Sequence, residues 1–239
     1  MTILAFHPTT NRPGTNPKTG KPWRDADEFR REAGAFARLH ATTIVKPGAA
    51  LIAIDNTVSA SAMRRRVCDE IENAGPQPVS LVAFFCHGHK TGIQFGFRLA
   101  DVEGLAKTIA NNAGKEPVVA LYCCDTARDR DPQRDDDLKP GVGGDGGFAD
   151  ELRDALCRAG AVDCRVYGHA VAAHTTKAPW VRVFEGRGSP VGWTGGPFLV
   201  ERKSPLWRPW VKALQTTDLR FRFPFMSIGE LHEELEAGR

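Results

Sequence analysis

Two short segments carry residue types suited to chemistry. FCHGH spans 85–89 and YCCDTA spans 122–127, and each closes an uninterrupted apolar run. A cysteine nucleophile needs access, a base or cation that favours thiolate, and donors for the oxyanion its attack creates. His87 can supply the base and Cys124 the thiol. Gly88 has no Cβ, so the backbone there can turn sharply and present its N–H, and the amides of Gly88 and Cys124 can together form an oxyanion hole. Alternation along a strand puts Cys123 on the opposite face from Cys124, as a core residue. By the same alternation His89 points the way His87 does, while His169 and His174, five apart in an apolar segment, are expected to face the same cleft. These four histidines open a second chemistry, a zinc ion running metal-assisted hydrolysis, although their spacing matches no established zinc signature. A third set of ligands lies between 125 and 147, where Asp125, Asp129, Asp131, Asp135, Asp136, Asp137 and Asp145 form an exposed acidic loop that could hold calcium.

The elements that must position these residues follow from periodicity. Residues 50–55 (ALIAID), 79–86 (VSLVAFFC) and 118–124 (VVALYCC) read as strands, with a fourth at 164–174 and a fifth at 180–186. Between them, 59–75, 99–114 and 147–160 read as helices, their apolar residues recurring at helical spacing and a glycine closing each. Strands this uniformly apolar need cover on both faces, which predicts a mostly parallel sheet built from βαβ units with right-handed crossovers. Ligands bind such sheets at the carboxyl ends of the strands, where both unusual motifs lie. Upstream, 8–24 is rich in Pro, Gly, Thr and Asn and reads as an arm, followed by a helix over 25–41 with acidic residues in its first turn. Downstream of 186, GSPVGWTGGPF is turn-rich and 227–238 reads as a closing helix; Trp207, Arg208 and Trp210 are read as packing residues before a partner surface. The arginines at 64–66 read as the solvated face of a helix.

An apolar strand ending in His-Gly, then a helix, then an apolar strand ending in Cys resembles the caspase-like (clan CD) cysteine peptidases, which include caspases, metacaspases, gingipains and bacterial CHAT domains. FFCHG (84–88) looks like that family's histidine block and ALYCCDTA (120–127) like its cysteine block. The resemblance covers about residues 50–185 and implies an α/β three-layer sandwich, a mostly parallel central sheet with helices on both faces. It implies His87 as general base and acid, Cys124 as the nucleophile forming an acyl-thioester, and Gly88 as an oxyanion donor. It also implies that Tyr122 and Asp55 shape the pocket for the P1 side chain, with Asp55 favouring Lys or Arg there. His89, His169 and His174 are the further candidate substrate contacts, 166–180 the cleft-lining segment, and the acidic loop the place where relatives are cut or bind calcium. Ala127 departs from the glycine common there, and the arm before 50 and the tail after 186 match nothing in the family. The expected division is therefore 1–49 as arm and helix, 50–186 as core, and 187–239 as an extension. Endopeptidase activity is the expectation, with a zinc-dependent hydrolase or an inactive caspase-like interaction module as alternatives.

Bulk composition agrees with an ordinary globular chain. The 239 residues are 41% hydrophobic and 26% charged, enough for one sizeable core. The formal charge of +3, from 32 basic and 29 acidic residues, is too small to argue for nucleic acid or a membrane surface. No apolar run approaches the roughly 20 residues that span a bilayer, and the first residues lack the pattern of a secretory signal. Six cysteines without a CxxC pair fit a reducing cytoplasm, where a thiol stays available. The expected partner is a peptide or protein substrate, with no obligatory cofactor.

Overall fold

The computed structural model describes residues 2–43, 49–131, 144–170, 172 and 181–186. Its centre is a six-stranded sheet made of β1 (Thr2–Pro8), β2 (Ala49–Ile54), β3 (Val79–Phe85), β6 (Ala113–Tyr122), β7 (Arg165–His169) and β8 (Val181–Glu185), in the order β2-β1-β3-β6-β7-β8. Two short strands, β4 (Gly88–His89) and β5 (Gly92–Ile93), form a separate antiparallel hairpin. The first five strands of the sheet run parallel, and β8 closes it antiparallel to β7. This is the α/β architecture with a mostly parallel sheet that the strand–helix alternation predicts.

Period-2 alternation sorts the side chains into two cores. On one face Leu4, Phe6, Val82, Phe84, Val119, Leu121 and Val166 join the apolar stripes of three helices, α2 (Ala60–Glu72), α3 (Val102–Asn112) and α4 (Phe148–Arg158). On the other face α1 (Asp25–Thr43) packs on β1, β2 and β3. There Phe36, fully buried, sits edge-on to Phe85 at 5.5 Å and to Tyr122 at 5.7 Å, while Phe85 and Tyr122 stack at 4.4 Å. Each such buried aromatic contributes roughly 1.5–3 kcal/mol of burial free energy. This small aromatic cluster fixes α1 against both strands that end in the chemical motifs. Helices therefore cover both faces.

One element differs from expectation. The seven residues TILAFHP (2–8), read as part of the arm before 50, are a fully buried strand lying between β2 and β3. The sheet thus begins at residue 2. The turn-rich segment 9–24 is an arm anchored at both ends. Its start is tied to the end of β2, where Thr10 and Asn56 exchange backbone–amide contacts of 2.8 Å, and its far end is drawn back to that start by the Ala26 N–H, which donates to the Asn11 side-chain oxygen at 2.8 Å. Arg64 is no purely solvated charge: it donates to the Gly96 carbonyl at 2.7 Å and lies 3.3 Å from Asp101, tying α2 to the turn before α3. Among the described residues no helix is long and apolar enough to cross a membrane. Residues 187–239, including Trp207, Arg208, Trp210 and the expected helix 227–238, lie outside the described residues.

Candidate functional site

Strands β3 and β6 are parallel neighbours, with Phe85 opposite Tyr122 as their last paired residues. Two steps further along each chain stand His87 and Cys124, both on the α1 face. The intervening residues point the other way. Cys86 and Cys123 are buried in the opposite core, their sulfurs 3.5 Å apart, and the Cys123 thiol lies 3.3 Å from the Phe84 carbonyl. Burial drives the Cys123 pKa well up, so this thiol is held neutral and inert, whereas Cys124 is only half-buried.

Gly88 lets the two strand ends come together. A Cβ on it would lie 2.6 Å from the Cys123 Cβ, 2.9 Å from the Cys124 carbonyl oxygen and 3.0 Å from the Thr126 methyl. The turn after Cys124 passes through Asp125 at φ 56°, then is locked on three sides. Thr126 Oγ1 donates to the Cys123 carbonyl at 3.1 Å, the Ala127 N–H to the His169 carbonyl at 2.9 Å, and the Ala149 N–H to the Thr126 carbonyl at 2.9 Å. The His87 backbone is clamped by Gln94, which accepts its N–H at 3.2 Å through the side chain and donates its own N–H to the His87 carbonyl at 2.9 Å.

The imidazole of His87 is oriented from the α1 side. Its Nε2 lies 2.6 Å from Asp25 Oδ2, and its ring meets Phe29 edge-to-face at 5.1 Å. Burial alone would raise the Asp25 pKa. The hydrogen bonds from His87 and the Arg12 amide, with the charge of His87, outweigh it and hold the carboxyl below its usual range. Arg12 contacts Asp25 twice, through its N–H at 3.1 Å and its Nε at 3.5 Å, and its guanidinium lies 3.4 Å over the Trp23 ring. Asp25 was legible only as a first-turn helix acid. The available signal was phase: it precedes Phe29 by four residues and Phe36 by eleven, so it occupies the buried stripe of α1.

A cavity of about 570 Å³ opens here. Cys86, His87, Tyr122 and Cys124 form its floor, Asp25 and Phe29 of α1 one wall, and Arg12, Lys21, Pro22 and Trp23 of the arm the other. Tyr122 lines the cavity together with Cys124. Asp55 does not. It is exposed at the end of the edge strand β2, with β1 between it and β3, and its Oδ1 accepts the Thr57 N–H at 2.9 Å and hydroxyl at 2.6 Å. Those bonds lower its pKa, and Asp55 is not among the residues lining the cavity. The inserted strand β1, unseen in the sequence, is the reason.

The histidines also separate. The chain leaves the strand after Phe85 and His89 opens the β4–β5 hairpin, so alternation no longer applies. His89 is exposed, bonded through Nδ1 to the Thr91 hydroxyl at 2.9 Å and through Nε2 to Arg98. His169 is buried at the end of β7, 6.1 Å from the Tyr122 ring, and is not in the cavity lining. His174 lies outside the described residues, as do 132–143 of the acidic loop, with Asp135, Asp136 and Asp137. Among the described residues no group of three or more His, Cys, Asp or Glu side chains is placed to hold a metal ion. Comparison of the chain with known families, curated proteins and solved structures returns no match.

Proposed function

We propose that this chain is a cysteine hydrolase acting on peptide bonds, with Cys124 as nucleophile and His87 as general base and acid. One observation carries the reading: the parallel register of β3 and β6 brings His87 and Cys124 out side by side on one face and into one cavity. The resemblance of FFCHG and ALYCCDTA to the caspase-like peptidases points the same way. In the first step Cys124 Sγ bonds to the scissile carbonyl carbon while its proton passes to the His87 nitrogen not held by Asp25. The carbonyl electron pair moves onto oxygen, where the Gly88 and Cys124 amides receive it. Collapse breaks the C–N bond and the departing amine takes the proton from His87. Water then attacks the thioester, giving its proton to His87, which returns it to the leaving thiolate.

With Asp55 outside the cavity lining, that carboxylate gives no argument for a basic P1 residue. Nor do His87, His89 and His169, which diverge, favour zinc chemistry. Cys124→Ala and His87→Ala are each expected to remove hydrolysis of a fluorogenic peptide panel, by at least about 10²–10⁴-fold for the base. Wild-type rates in either variant would refute the assignment.

A further inference from the structure

We infer that Asp25 is a positioning residue that completes a Cys124–His87–Asp25 triad, and that the arm, through Arg12 and Trp23, holds it in place. The inference rests on the hydrolase reading for its meaning, but its geometry stands independently. The Asp25 side chain is only 10% exposed and 2.6 Å from His87 Nε2. In a neutral ring an Nε2–H donated to that carboxylate leaves the lone pair on Nδ1, the nitrogen free to accept a thiol proton. Phe29, edge-on to the ring, opposes its rotation.

Three features make this more than a surface ion pair. Asp25 stands in the first turn of α1, where the helix dipole favours a carboxylate. Its neighbour shows the contrast: Asp27, also in that turn, is half exposed and meets the exposed Arg24 at 3.3 Å and the Asn11 amide at 3.4 Å. Helix α1 is in turn referenced to both motif strands, because Phe36 touches Phe85 on β3 and Tyr122 on β6. The second carboxylate oxygen is occupied by the Arg12 N–H, so the group cannot rotate away from His87 without breaking that bond. Arg12 is itself seated on Trp23, at the far end of the arm. The arm thereby forms a wall of the cavity and a brace for the carboxylate.

The test reads the imidazole directly. Nitrogen-15 NMR of the His87 ring in the wild-type protein at pH 8.5 is expected to show the Nε2–H tautomer. Asp25→Asn can turn its amide N–H₂ toward Nε2, which moves the ring proton to Nδ1 and faces it toward Cys124. That variant is expected to show the Nδ1–H tautomer, alkylation of Cys124 slowed at least tenfold, and kcat reduced roughly 10²–10⁴-fold with KM within about threefold. An Nδ1–H tautomer in the wild type overturns the inference without need of any variant. So does an Asp25→Asn protein that keeps the wild-type tautomer and alkylation rate while losing only stability, the behaviour of a structural tie. If the tautomer follows Asp25 but the wild type cleaves no peptide, the triad stands and the peptidase reading falls. If Cys124→Ala and His87→Ala abolish cleavage and Asp25→Asn does not, the reverse holds.

Discussion

Substituting Gly88 by Ala probes whether the strand ends are as close as described. Gly88 is not among the positive-φ glycines, so alanine meets no backbone penalty and its effect is purely steric. The new methyl would lie 2.6 Å from the Cys123 Cβ, against an ordinary carbon contact of about 3.5–4.0 Å, so roughly 1 Å must be made up. Cys123 cannot recede. Its sulfur is backed by the Cys86 sulfur at 3.5 Å, and its carbonyl is held by Thr126, whose own turn is tied to β7. The displacement therefore falls on the spacing between His87 and Cys124. Overpacking of this kind costs about 1–3 kcal/mol, and a misplacement of about 1 Å between reacting groups costs on the order of 10²-fold in rate. Urea unfolding gives the first quantity, and mass-spectrometric timing of iodoacetamide labelling at the Cys124 peptide gives the second. Gly104→Ala is the control, because its Cβ meets nothing within 4 Å on the exposed side of α3, and it should gain up to about 1 kcal/mol with unchanged labelling. Wild-type stability and labelling in Gly88→Ala would refute the close approach and with it the shared site.

Two further outcomes concern the frame around the site. Phe36→Ala removes the fully buried ring set edge-on against Phe85 and Tyr122 and is expected to cost about 3–5 kcal/mol in urea unfolding; a loss under about 1 kcal/mol would mean α1 does not pack there. Asp150, buried in α4, is pushed up to about 7 from an ordinary 3.8, chiefly by burial, despite its 2.7 Å contact with Arg153. Because the folded state holds a proton that the unfolded state has released between those values, this group's contribution is full below about pH 4 and is lost as pH rises through 7, by at most about 4 kcal/mol. The stability of wild type relative to Asp150→Asn should therefore fall between pH 5 and 8; a difference that is flat or rises over that range would show that Asp150 is ionised throughout.

The strands that end in the motifs were legible because burial on both faces leaves a long apolar run, and VSLVAFF and VVALY are such runs. The same rule should have found TILAF. It is equally buried, but it is short, sits at the chain start and leads through His-Pro into a turn-rich stretch. That strand matters at the site: the resemblance puts Asp55 in the P1 pocket as the end of the first strand, whereas β1 stands between β2 and β3. Closing β8 was seen as a strand, yet its antiparallel direction depends on a connection that periodicity does not describe.

Within the site, the limit of sequence reading is the limit of alternation itself. The parity of 123 and 124 sorted the buried thiol from the half-buried one, because those residues continue the ladder set by β6. Parity failed two residues later, at His89, where the chain had already turned into a hairpin and the side chain found Arg98. It had no purchase on Asp25, whose partner is 62 residues away on another element. A carboxylate on the buried stripe of a helix must nonetheless meet a donor or a cation, because burying it unpaired costs several kcal/mol. Helix phase thus states that a partner exists, and only the packing of α1 across the ends of β3 and β6 says that the partner is His87.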